Sequence, residues 1–162
     1  MLLVLGAMTL FSTLILSVNR GILENSEMVA QGAYRLTATA LGQSVIEEAV
    51  SKKYDEAVVG TPPVNLPSGF TAPGALGADA GESDPGFDDV DDFNGLVREI
   101  TTADSVRYHL AVQVGYVDTT DFDVVVSYRT FFKKMRVAVS SAFFSSPSDS
   151  TVLKTIFSYW GS

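Results

Sequence analysis

From Met1 to Asn19 the chain has no charged side chain, and Arg20 is the first. As α-helix, such a stretch runs about 28 Å, close to the hydrocarbon thickness of a bilayer. The helical pattern then continues without a break, since no proline occurs before Pro62. Val29, Ala33, Leu36 and Ala40 are spaced four, three and four, and Ile46, Val50 and Tyr54 prolong an apolar stripe. Glu24, Glu27, Gln31, Arg35, Thr39, Gln43 and Glu47 occupy the polar positions. Arg20/Glu24 and Glu48/Lys52 are i,i+4 pairs worth a few tenths of a kcal/mol. The spacing predicts one helix from about Leu2 to about Tyr54, apolar over 1–19 and amphipathic over 20–54, roughly 80 Å long. A small domain does not cover so long a helix. Its first half must bury itself in lipid or in copies of itself.

Ser12, Thr13, Ser17, Asn19 and Gly21 are poor helix formers. An interruption is expected between Ser12 and Gly21, with Ser17, Asn19 and Gly21 as its centre. The alternative is that the hydroxyls bond back to the helix and nothing breaks.

Residues 55–95 form a loop region. Five of the six prolines fall between Gly60 and Gly86, and the stretch ends in a compact acidic turn, GFDDVDDFNG. Over 96–162 the period switches to two. Tyr108, Leu110, Val112, Val114 and Tyr116 alternate with His109, Ala111, Gln113, Gly115 and Val117. Phe122–Val126, Lys134–Ser140 and Thr151–Trp160 read as further strands joined by short turns, an antiparallel meander. The amphipathic half of the long helix is the element able to cover the apolar face of that sheet, so the expected fold class is α+β.

The formal net charge of −8 over 162 residues argues against nucleic acid as a partner. There is no cysteine, which removes disulfides, thiol nucleophiles and thiolate metal sites. Mean hydropathy is +0.22, and the apolar excess sits at the front.

The apolar start MLLVLGAMTLFSTLIL, the loop and the strand meander together resemble the type IV pilins and the pseudopilins of type II secretion. The run GFDDVDDFNG, RYHLAVQVGYV, FFKKMRVAVSS, TVLKTIFSYW is similar in its order of elements to minor pilin-like proteins of the mannose-sensitive haemagglutinin pilus. The resemblance implies a pilin-like fold and a structural subunit rather than an enzyme. It implies a subunit held in the bacterial inner membrane by its helix and then moved by pilus assembly machinery into a helical, homopolymeric filament at the cell surface. Met1, Leu2, Leu3, Val4, Leu5, Gly6, Leu10, Phe11, Leu14 and Ile15 would carry assembly. Family members lose a short basic leader, are N-methylated, and carry a glutamate at the fifth mature position. Leu5 stands there instead. Two explanations stay open: Met1 is the mature start, as in minor pseudopilins lacking the acid, or MLLVLGA follows that glutamate in a longer chain. The alternatives in function are a minor pseudopilin that primes or caps a pseudopilus, and a single-pass anchored envelope domain that binds a partner.

Asp79, Glu82, Asp84, Asp88, Asp89, Asp91 and Asp92 form an acidic cluster. Asp88, Asp89, Asp91 and Asp92, with Asn94 and backbone carbonyls, offer oxygens to Ca²⁺, which takes six to eight. The competing role is turn capping, with Asp88 and Asp91 accepting backbone N–H groups. No resident cofactor is otherwise expected. His109, the sole histidine, falls on a strand face with no nucleophile motif near it. Arg129, Lys133, Lys134 and Arg136 make a basic patch that could pair with the acidic cluster of another subunit or simply solvate a strand face. Phe143, Phe144, Phe157, Tyr159 and Trp160 read mainly as packing residues, with Trp160 left for an interface.

Overall fold

The computed structural model describes residues 1–58, 66–144, 146 and 149–159, apart from the side chains of Leu2, Leu3 and Leu5. One helix, α1 (Leu2–Val50), contains 49 residues, and runs about 74 Å. It is unbroken, so the interruption expected at Ser17, Asn19 and Gly21 is absent. Hydroxyls bond back onto the helix instead: Thr9 Oγ1 donates to Gly6 O and Thr13 Oγ1 to Leu10 O, each at 2.9 Å. The helix also stops four residues short of Tyr54. Tertiary pairing is the reason. Lys53 N–H donates to Asp88 O at 3.2 Å and Val90 N–H to Lys53 O at 3.0 Å, so the backbone after Val50 is drawn into the acidic turn.

The face of α1 that meets the sheet differs from the expected stripe. Tyr34, Ala38, Leu41, Gly42, Val45, Ile46 and Ala49 turn inward. Val29, Ala33, Leu36, Ala40 and Val50 are exposed. The second half of the helix therefore carries two apolar faces, and period alone does not say which one the sheet selects. On the face that is buried, Ala38, Gly42 and Ala49 let the helix approach β4 and β5 closely, while Val45, Ile46 and Leu41 fill the core. A Cβ at Gly42 would lie 2.8 Å from Leu153 Cδ1 and 3.5 Å from Val139 Cγ2. Gly42→Leu is expected to lower stability by about 1–3 kcal/mol through overpacking. Gly42→Ala is expected to be nearly neutral, as the end of Leu153 can swing away and alanine favours helix. Thermal melts of the two variants check this; equal melting temperatures would contradict it.

Five antiparallel strands follow: β1 (Val97–Thr101), β2 (Arg107–Asp118), β3 (Asp121–Val125), β4 (Phe132–Ser141) and β5 (Thr151–Ser158). The main order is β1-β2-β4-β5. Leu110 faces Val139, Val112 faces Val137 and Val114 faces Met135 across the β2–β4 pair. These inward residues, with Tyr108, make the core that α1 covers, its contacts falling on β4 and β5. The result is an α+β layout consistent with a pilin-like fold. A simple meander is not what forms, because β3 pairs only with the end of β2 and leaves β4 to lie along β2. Val125 packs over Gly115, where a Cβ would come within 2.8 Å of it. β1 lies outside the alternation read from the sequence, since three of its residues are exposed, Val97 among them, and Arg98 is half-buried.

The loop region is held by short 3₁₀ turns at Glu56–Val58, Pro73–Ala75 and Asp91–Phe93. Phe87, Val90 and Phe93 drive its acidic end into the core. Residues 59–65 of that loop and Trp160 lie outside the described residues, and β5 ends at Ser158.

Candidate functional site

Two places in the structure carry more than packing: the bare half of α1 and the acidic turn beneath its end. Residues 1–30 are exposed wherever described, and the contacts of α1 with the sheet come from its second half. Among the residues expected to serve assembly, Met1, Val4, Gly6, Leu10, Phe11, Leu14 and Ile15 are exposed; the side chains of Leu2, Leu3 and Leu5 lie outside the described set. α1 is long and apolar enough to cross a membrane, judged by length and composition.

Within that exposed surface runs an ordered line. Val4, Met8, Phe11, Ile15, Val18, Ile22, Val29 and Leu36 are each between 52% and 73% exposed. Their spacing of four, three, four, three and four, then seven and seven, follows a period of 3.5. Such a period keeps one seam facing a partner helix under left-handed supercoiling. Asn25 and Gly32 fill the intervening places on the seam. The line passes beyond the apolar segment and along the back of the domain, on the side of α1 away from the sheet. Shallow apolar grooves lie along it, one lined by Val4, Ala7, Met8, Phe11 and Ser12, and another by Leu14, Ile15, Val18, Asn19 and Ile22.

The acidic turn does not gather its four aspartates around one point. Asp89 and Asp92 cap the turn, rather than Asp88 and Asp91. Asp89 Oδ1 accepts Asp91 N–H (2.8 Å) and Asp92 N–H (3.2 Å), and its Oδ2 accepts Glu56 N–H (2.6 Å). Asp92 Oδ2 accepts the N–H groups of Asp88 (3.0 Å) and Asp89 (3.1 Å). Burial, and then the neighbouring charge of Asp91, push the Asp89 carboxyl up to about 8, against Lys133, which favours the anion. Among the described residues the carboxylates that converge are Glu82, Asp88 and Asp92, within 4.8 Å of one another. Desolvation and then the charges of Asp92 and Asp88 raise Glu82. A calcium ion wants roughly twice as many oxygens as three carboxylates bring when each offers one.

Asp91 turns inward to Lys133, the cation with no exposed surface among the described residues. Lys133, expected on a basic surface patch, is 0% exposed. Its Nζ donates to Asp91 Oδ1 (2.6 Å), Asp55 Oδ2 (2.8 Å) and Tyr54 O (2.8 Å). The ammonium also sits 4.5 Å from the centre of the Tyr54 ring and 5.5 Å from that of Tyr116. Asp55 Oδ2 further accepts Thr71 N–H at 3.0 Å, and Ala57 N–H and Thr71 Oγ1 donate to Oδ1 at 3.1 and 3.3 Å. Burial beside Asp55 raises the Tyr54 and Tyr116 hydroxyls, keeping both neutral. The pairing of basic and acidic residues thus occurs inside one protomer for Lys133. Lys134 is also buried and donates to Asp123 O; Arg129 Nε donates to Phe70 O at 2.6 Å; Arg136 is half-buried on β4.

A second clamp joins helix, loop and sheet. Arg98 on β1 donates to Glu48 of α1 through Nη1 (2.9 Å) and Nη2 (3.1 Å), and to Asp84 of the loop through Nε (2.7 Å) and Nη2. The Arg98 guanidinium holds the Asp84 carboxyl below the usual carboxylate range. A lowered folded pKa stabilises the fold above the ordinary carboxylate value and loses that contribution as pH falls through the lowered one. Arg98→Ala is expected to cost about 1–2 kcal/mol at neutral pH, the groups being partly exposed. The variant should also show less loss of melting temperature between pH 5 and pH 3 than the parent. Parallel pH dependences would sink the assignment.

His109 is exposed, with Nδ1 4.0 Å from Glu99 Oε2. Phe144 is buried and Phe157 partly buried against the core, while Tyr159 stacks among Tyr54, Phe70 and Phe131. Phe143 is half exposed and lies 5.1 Å from the ring of Tyr34. Comparison with protein-family models, with curated proteins and with solved structures returns no match.

Proposed function

We propose that this chain is a structural subunit that polymerises through α1 into a helical filament of the type IV pilus kind, after a membrane-held stage. The observation that carries this reading is the seam from Val4 to Leu36. Lipid alone needs an apolar surface of any arrangement, and the segment from Met1 to Val18 offers one on all sides, Leu10, Leu14 and Leu16 included. A 3.5-residue period that continues along the domain's back, past Arg20, Glu24 and Glu27, fits helices of the same kind. Moving an apolar helix from lipid to a bundle gains little hydrophobic energy, so shape must select the contact. Gly6, Ala7, Ser12 and Ser17 allow that close approach. The reading requires no catalysis. The all-round apolar segment favours one second reading, a single-pass anchored envelope domain that binds a partner.

The test is to shear cells that express the chain, pellet the released material, and image it by cryo-electron microscopy with the protein identified by mass. Filaments built mainly of this chain, with α1 bundled along the axis, are the expected result. Protein left wholly in the membrane fraction, with no filaments, would replace the filament reading with the anchored domain or with a minor priming subunit.

A further inference from the structure

The buried cluster around Lys133 contains an amine donor and an acyl acceptor held in contact away from water. We propose that Lys133 Nζ and Asp91 Cγ become joined by an intramolecular amide bond, formed after folding without a second protein. Nζ lies 2.6 Å from Asp91 Oδ1, so the carbon that would be attacked is one bond further on. Neither side chain can wander: Lys133 is 0% exposed and Asp91 2%. Reactants held in this way react as if at very high concentration.

Asp91 is the acyl partner rather than Asp55. Asp55 has both oxygens committed to backbone N–H and hydroxyl donors, which fix its orientation. Asp91 Oδ1 receives Lys133, and its other neighbour is the Asp89 carboxyl. Asp55 is placed as the base, with Oδ2 2.8 Å from Nζ. The step balances without any co-reactant. Asp55 takes a proton from the ammonium, and the freed lone pair forms the N–C bond to Asp91 Cγ. The C–O bond to one Asp91 oxygen then breaks. That oxygen leaves as water with two of the three original ammonium protons, and the third stays on the amide nitrogen. A cation and an anion are both consumed, which relieves their burial. Tyr54 and Tyr116 wall the site, so the water that leaves does not readily return.

The bond would tie the acidic turn to β4, 42 residues along the chain. The test is the intact mass of the full chain purified from membranes in detergent, followed by peptide mapping. The expected mass is about 18 Da below the sequence sum, with one peptide pair joined through Asp91 and Lys133. Lys133→Arg should restore the full mass. Asp91→Asn should reach the same cross-linked product as the parent, now by losing about 17 Da as ammonia. A folded parent chain at its full sequence mass overturns the proposal. So does a loss that maps elsewhere, such as the Asn94–Gly95 pair.

Discussion

Lys133→Met is expected to lower the stability of the domain by about 3–5 kcal/mol, because it leaves Asp55 and Asp91 facing each other in a dry interior. For a domain of this size that corresponds to a fall in melting temperature of about 12–20 °C, read by near-ultraviolet circular dichroism of the full chain in mild detergent. Three observations set the size. Lys133, Asp55 and Asp91 are at most 2% exposed, so water cannot take the place of the lost ammonium. Tyr54 O loses its 2.8 Å donor. Asp89, also buried, brings a further carboxyl beside Asp91. Adding Asp55→Asn and Asp91→Asn to Lys133→Met should recover part of the loss, since an uncharged cluster avoids the stranded anions. A single variant that melts with the parent would show that the cluster is hydrated in solution. A covalent bond from Lys133 to Asp91 would add its own contribution to the single-variant loss.

The second large effect concerns location, with folding untouched. Phe11→Asp combined with Ile15→Asp places two carboxylates in the middle of the apolar segment. Each costs about 3–4 kcal/mol relative to the residue it replaces at the centre of a membrane helix, so the pair shifts partition by about four orders of magnitude or more. Neither position touches the domain, both being more than half exposed. The double variant should therefore melt at the parental temperature while leaving the membrane fraction and failing to enter sheared material. A fall in melting temperature of several degrees would mean that this half of α1 folds back on the domain. Retention in the membrane would mean that the segment is held by something other than its apolar surface.

Much of this architecture was legible in the residues. The unbroken run of apolar and helix-compatible positions up to Val50 gave the helix, and the alternation from Tyr108 to Tyr116 gave the central strand with the correct side inward. The missing interruption near Ser17 is local, with Thr9 and Thr13 bonding back onto the helix; the other errors share a cause, tertiary contact. Lys53 leaves the helix because the acidic turn offers backbone partners, a contact across 35 or so residues that local propensity does not encode. The buried face of α1 carries Leu41, Val45 and Ile46 beside Ala38, Gly42 and Ala49, and the exposed face has apolar and small residues too, so only the sheet selects between them. β1 escapes because Val97 faces outward and Arg98 inward, the reverse of the usual alternation, and Arg98 clamps α1 to the loop. Lys133 was read as surface because it stands beside Lys134 and near Arg136. No local signal distinguishes a buried lysine; Asp55 and Asp91, which require it, are distant in sequence. The eight-residue line from Val4 to Leu36 is present in the sequence, and a search for the period of 3.5 rather than 3.6 finds it.

A helix without an interruption, seated at one end only, is mechanically a lever. Its free part extends about 45 Å beyond the domain, so a change of about 5° in how Ala38, Gly42 and Ala49 sit on the sheet moves the tip by about 4 Å. That displacement is sideways, close to half the interaxial distance of about 8–10 Å between packed helices, enough to part Val4 and Met8 from a neighbouring seam. Substitutions in the domain that leave stability almost unchanged can therefore act as aiming errors, felt at Met1 rather than where they are made. Gly42, which fixes the depth of the fulcrum, is the position where the lever is most sensitive.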